Sequence, residues 1–100
     1  MIKIDLNLAK KYLDISGHAM SAPRGQDIVC AAVSANVQML LIGLCDVAGD
    51  DIAVTGGERE GYIHIQWEKL SDRSEAFIDT FYLCCANIAR QYPDNVRIVP

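Results

Sequence analysis

Apolar and polar residues alternate along the first eight positions of the chain, which is the spacing of a strand that buries one face. The residues predicted on the buried face are Ile2, Ile4, Leu6 and Leu8. Residues 12–16 predict a second short strand. The segment 17–26 is rich in small residues and contains a proline and a glycine, so it is predicted to form a loop.

A long apolar helix is predicted to follow this loop. Asp27 is a good N-cap, and the segment 28–45 contains no charged residue. The helix should run to about Ala48 and end at Gly49. A helix that is apolar on nearly all sides is typical of burial within protein.

The second half of the chain predicts two further strands, a second helix and a last strand. The strands cover 52–55 and 62–68, and a glycine-containing loop joins them. Ser71 is predicted to cap a helix over 75–91, and 96–99 should close as a strand. The order is ββαββαβ, an α+β fold in which two helices cover a small sheet.

Size and charge narrow the possible functions. The chain has 100 residues, of which 51% are hydrophobic, so residues 1–100 should form a single domain. A net charge of −4 without a basic cluster argues against a nucleic-acid partner. The first five residues lack the pattern of a secretory signal, and 28–45 is at the lower limit for a membrane span. We therefore expect a cytoplasmic protein that does not bind membranes.

The four cysteines are Cys30, Cys45, Cys84 and Cys85. Their spacing matches neither a disulfide framework nor a zinc motif. We expect reduced thiols, no metal and no cofactor. Cys45, Cys84 and Cys85 are predicted to be core thiols, and His64 is predicted to face solvent from the fourth strand.

Two residues in the first third of the chain combine into a candidate catalytic pair. Cys30 lies in the first turn of the apolar helix, where the unpaired backbone amides favour a thiolate and can donate to an oxyanion. His18 lies in the preceding loop and is the side-chain type that serves a thiol as base near neutral pH. From the residues alone, however, a buried inert cysteine and an ordinary surface histidine are the more common interpretation.

A resemblance to a known family favours the catalytic interpretation. The sequence Gly17-His18-Ala19, then Gly25, then the run 27–34 (Asp-Ile-Val-Cys-Ala-Ala-Val-Ser) resembles the signature of the ribosomal-processing cysteine protease family, Prp. The resemblance implies a cysteine endopeptidase that removes an amino-terminal extension from a large-subunit ribosomal protein. Carried over by position, Cys30 is the nucleophile and His18 is the general base and proton donor.

The same resemblance implies further roles. Asp27 and Ser34 match its acidic and hydroxyl positions and would support the site, Asp27 as a helix cap, as an orienting group for His18, or as both. A homodimer built around the apolar helix is also implied. The loop 19–26 would act as a mobile gate for an extended peptide. Its small, flexible residues are Ala19, Ser21, Ala22 and Gly25.

Three alternatives remain open at this stage. A phage-type homologue would process a capsid-assembly protein instead. A non-catalytic dimeric module would hold a peptide in the same groove without cleaving it. A redox-sensing cysteine is disfavoured, because no second cysteine lies near Cys30 in the sequence to resolve a sulfenate.

Overall fold

A five-stranded sheet and two helices form two layers in the computed structural model, which describes residues 1–17, 28–57 and 59–99. The predicted ββαββαβ order is confirmed. The elements are β1 (Ile2–Asn7), β2 (Tyr12–Gly17), α1 (Ile28–Ile42) with a π-helical turn (Gly43–Val47), β3 (Ile52–Gly57), β4 (Tyr62–Trp67), α2 (Asp72–Gln91) and β5 (Val96–Val99).

The strands lie in the order β3-β4-β2-β1-β5. All neighbours are antiparallel except β1 and β5, which are parallel. The register pairs Ile2 with Gly17, and it pairs Tyr62 with both Ser16 and Gly57. Consequently β1 and β4 begin, and β2 and β3 end, at one end of the sheet, which we call the Gly17 end.

The hydrophobic core lies between one face of the sheet and the helices. Alternate residues of the strands contribute their side chains to one side of the core, as the period-two pattern predicts. The helices contribute the side chains on the other side. Its most buried members include Ile4, Leu13, Ile65, Val29, Leu40, Leu44, Ile78 and Phe81. The prediction for Leu8 was wrong: β1 ends at Asn7, and Leu8 is 60% exposed beyond it.

The long helix differs from its prediction in its second half. It is α-helical to Ile42 and then widens into a π turn that starts at Gly43. A β-carbon at Gly43 would lie 2.8 Å from the ring of Phe77 on α2, so the absence of a side chain there lets the two helices approach closely. The stretch Ile28–Val47 has a mean hydropathy of 2.1 and passes a length and composition test for a membrane span. A core helix passes the same test, and Val33 and Leu40 of this one are buried in the core.

Ser71 caps α2 as predicted, although the helix begins at Asp72 rather than at residue 75. The carboxylate of Asp50 accepts hydrogen bonds from the Ser71 amide and hydroxyl, both at 2.8 Å. The Ser74 hydroxyl and then these two Ser71 groups lower the pKa of Asp50. Among the residues that the structure describes, the buried Ser74 hydroxyl has no partner within hydrogen-bonding geometry, so we attribute the direct bonds to Ser71 alone. Asp50 therefore joins the end of α1 to the start of α2.

Candidate active site

Gly17 fixes the point at which the chain leaves β2 for the predicted catalytic loop. Its backbone has φ +91°, and its amide donates to the Gly61 carbonyl at 2.9 Å. A β-carbon at this position would overlap the Met1 carbonyl oxygen. Only glycine fits this conformation and this space without strain. The motif includes Gly17, but its steric role was missed from the sequence, because the contact comes from Met1, sixteen residues earlier and just before β1.

The start of α1 lies toward the same end of the sheet. The helix and its π turn span Ile28–Val47, a length of about 30 Å. Only four residues then connect Val47 to Ile52, where β3 begins at the opposite end of the sheet. A six-residue strand is about 20 Å long, so a helix that ends near the start of β3 reaches back to the Gly17 end. Cys30, in the first turn of α1, is thereby placed toward the Gly17 end of the sheet.

The surroundings of Cys30 combine an apolar base with the polar start of a helix. Its side chain is half-buried and packs against the core, next to the fully buried Val29. The amides in the first turn of a helix carry partial positive charge. Ser34 is one turn further on, on the same side of α1, and is half-buried. Such a position suits a thiolate nucleophile and an oxyanion.

The remaining predicted site residues lie outside the described residues. These are His18, Asp27 and the gating residues Ala19, Ser21, Ala22 and Gly25. Their roles therefore stay predictions from the sequence. The described flanks, Gly17 on one side and Ile28 on the other, fix where this segment leaves β2 and enters α1.

The other three cysteines occupy different environments. Cys85 is fully buried between the helices, where burial, followed by the neighbouring Cys84, raises the pKa of its thiol to about 12. It remains protonated at neutral pH and is a core thiol, as predicted. Cys84 is half-buried, whereas Cys45 is exposed on the π turn, so the prediction that Cys45 is a core thiol was wrong.

His64 lies on the other face of the sheet from the helices. Its neighbours in β4, Ile65 and Trp67, are buried in the core, so the alternation of the strand turns His64 outward. Its Nδ1 lies 2.9 Å from the Asp14 carboxylate, and its ring stacks on Tyr12 with centroids 5.4 Å apart. The prediction of a solvent-facing strand residue is confirmed, and the sheet separates His64 from Cys30.

Sequence comparisons with known proteins cover most of the chain. The family model described as cysteine protease Prp matches residues 1–97. The ribosomal processing cysteine protease Prp of Bacillus subtilis is 30% identical over 90 residues, which cover 85% of this chain and 80% of that protein.

Solved structures share the fold over nearly the whole chain. A ribosomal processing protease Prp from S. aureus, in complex with a covalently linked product peptide, superposes with a TM-score of 0.89 at 23% identity, covering 98% of this chain and 97% of the other. The Streptococcus mutans protein SMU.848 superposes with a TM-score of 0.76 at 25% identity, covering 97% and 89%.

Proposed function

The chain belongs to the cysteine protease Prp family, and from that premise we propose that it is an endopeptidase that removes an amino-terminal extension from a large-subunit ribosomal protein. The match over residues 1–97 is the observation that carries the proposal. It is supported by the position of Cys30 in the first turn of α1, toward the Gly17 end, where the chain enters the segment that carries His18.

In the proposed reaction His18 takes the proton of the Cys30 thiol, and the sulfur attacks the scissile carbonyl carbon. The first-turn amides of α1 stabilise the oxyanion of the tetrahedral intermediate. When the C–N bond breaks, the departing amine takes the proton from His18 and the acyl group stays on sulfur as a thioester. Water, deprotonated by His18, then attacks the thioester carbon. The C–S bond breaks, the acyl group leaves as a carboxylic acid, and the protonated His18 returns the proton to the Cys30 thiolate.

Asp27 and Ser34 have supporting roles in this proposal. Asp27 precedes Ile28 directly and is suited to cap α1. Ser34 is one turn from Cys30 and half-buried, where its hydroxyl can pack beside the site. The loop 19–26 would admit the peptide. Since the nucleophile must stay reduced, we infer a cytoplasmic location.

The test is mass spectrometry of a synthetic amino-terminal segment of a large-subunit ribosomal protein after incubation with the protein. We expect two fragments with the wild type and none with Cys30→Ala or His18→Ala, while both variants keep the wild-type circular dichroism spectrum. Binding of the peptide without cleavage by the wild type would point to the non-catalytic module instead. Cleavage by Cys30→Ala would contradict the assignment of the nucleophile.

We further propose that the protein is a homodimer joined through α1. One side of this helix carries an apolar stripe that faces solvent in the single chain. Its members, spaced by four and three residues, are Ile28, Ala32, Ala35, Met39 and Ile42. Ile28, Met39 and Ile42 are 68%, 51% and 55% exposed. Spacing of this kind forms a helix–helix seam, and the two alanines would let a second α1 approach closely.

Analytical ultracentrifugation tests the dimer. We expect the wild type to sediment as a dimer at micromolar concentration and Met39→Lys to sediment as a monomer, because a lysine in an apolar seam buries an unpaired charge. Leu83→Lys is the matched control, since Leu83 is 67% exposed on α2, away from the stripe. A dimer that survives Met39→Lys, or a wild-type monomer, would contradict the proposed interface.

A further inference from the structure

The two edges of the sheet are protected very differently. β5 has only four residues, includes Arg97, and is flanked by prolines at positions 93 and 100. A short strand, a charged residue and nearby prolines each hinder the pairing of another strand with a sheet edge. At the other edge, β3 has six residues (Ile-Ala-Val-Thr-Gly-Gly) with neither charge nor proline. No strand in the described part of the chain pairs with its outer side.

The register identifies which main-chain groups of β3 point outward. The Gly17 amide donates to Gly61, and the Trp67 amide donates to Lys11, so the odd-numbered residues of β4 bond to β2. The even-numbered residues of β4 therefore face β3. They pair there with Ala53, Thr55 and Gly57. Since main-chain groups alternate along an antiparallel strand, those of Ile52, Val54 and Gly56 point away from the sheet.

We propose that this outer edge of β3 binds the main chain of the substrate as an added strand. The inference rests on the proposed function and specifies how its peptide is held. β3 ends at Gly57, at the same Gly17 end toward which the start of α1 and Cys30 lie. A peptide paired along β3 is therefore led toward the nucleophile, and six residues of strand match about 20 Å of extended chain.

The side chains beside this edge indicate the kind of peptide that fits. Val54 is 42% exposed, and its side chain points to the helix-covered face, as that of its partner Ile65 does. On the opposite face Ala53 and Thr55 are small and exposed. An extended peptide with uncharged residues, and an apolar side chain next to Val54, suits this surface. Main-chain pairing supplies the affinity, and these neighbours supply a modest selectivity.

Val54→Pro tests the proposal, because it removes one outward amide and leaves the pairing of β3 with β4 in place. Binding of a fluorescently labelled ribosomal-protein extension is measured in the Cys30→Ala background. We expect Val54→Pro to weaken binding about tenfold, from the lost hydrogen bond and the bulk of the ring. Val54→Ala, which keeps the amide, should change the affinity by about twofold at most. In the wild-type background KM should rise likewise while kcat is retained.

Hydrogen exchange provides a second measurement that does not depend on the folding of Val54→Pro. When the peptide binds Cys30→Ala protein, the amides of Val54 and Gly56 should become protected. The amide of Thr55 and those of β5 should keep their rates. Unchanged binding by a folded Val54→Pro, or no protection at Val54 and Gly56 on binding, overturns the inference while cleavage by the wild type still supports the proposed function. A wild type that neither binds nor cleaves the peptide overturns both.

Discussion

Replacing Gly17 by alanine perturbs the end of β2, where the chain leaves the sheet and enters the predicted catalytic loop. The φ of +91° lies outside the left-handed region that other residues tolerate, and strain of this kind costs about 1–3 kcal/mol. The added β-carbon also overlaps the Met1 carbonyl oxygen, which must move out of its place beside β2. We expect a total loss of about 3 kcal/mol or more, a large part of the stability of a small domain.

Gly49→Ala is the matched control for backbone strain alone. Gly49 also has a positive φ, of +69°, but nothing lies within 4 Å of a β-carbon there. A non-glycine residue in the left-handed region costs about 1–2 kcal/mol, partly offset by the lower entropy of the unfolded chain. We therefore expect Gly49→Ala to be about 2 kcal/mol less destabilising than Gly17→Ala.

Urea unfolding followed by circular dichroism measures both variants. With a slope of about 1–3 kcal/mol per molar urea, Gly17→Ala should lower the midpoint by about 1 M or more. Because Gly17 directly precedes His18, peptide cleavage by Gly17→Ala should also fall under conditions in which the variant is folded. Equal unfolding midpoints for Gly17→Ala and Gly49→Ala would refute the steric reasoning.

Three further predictions concern stability and thiol chemistry. Since the folded pKa of Asp50 is lowered from 3.8, its contribution is present above that value and is lost as the pH falls through the folded pKa. Asp50→Asn should therefore be destabilising at pH 7, and the difference from the wild type, measured by urea unfolding, should shrink below pH 3.8. Cys85, buried and with a pKa raised to about 12, should resist iodoacetamide at pH 7 until the protein is unfolded, as read by peptide mapping. Phe81→Ala should cost about 3–5 kcal/mol in urea unfolding, because Phe81 is 1% exposed. A constant Asp50→Asn difference across pH, rapid native labelling of Cys85, or an unshifted Phe81→Ala midpoint would contradict these expectations.

The fold was predictable wherever local pattern and tertiary burial agree. The alternation that starts at Ile2 and the serine cap at Ser71 each determine an element by themselves. The close approach of the Phe77 ring to Gly43 in the π turn could not be predicted, because Phe77 lies thirty-four residues away on another helix. The hydrogen bonds of Asp50 to Ser71 could not be predicted for the same reason, because Ser71 is distant in the sequence.

The sequence predicted which residue types form the candidate site, but it predicted less of how these residues are arranged in space. A cysteine in the first turn of a helix follows from the N-cap pattern before it, and the structure places Cys30 there. The constraint at Gly17 depends on the register of β1 and β2, which the sequence does not specify. The outward amides of β3 likewise follow only from the observed pairing. The sequence of an uncharged strand does not show which of its main-chain groups bond to a neighbouring strand.

The relative alkylation rates of the four cysteines at pH 7, followed by mass spectrometry in wild type and His18→Ala, test most directly whether Cys30 is an activated nucleophile. We predict that iodoacetamide modifies Cys30 first, ahead of the exposed Cys45, and that this lead disappears in His18→Ala. A half-buried Cys30 that reacts no faster than exposed Cys45 in the wild type would contradict the account.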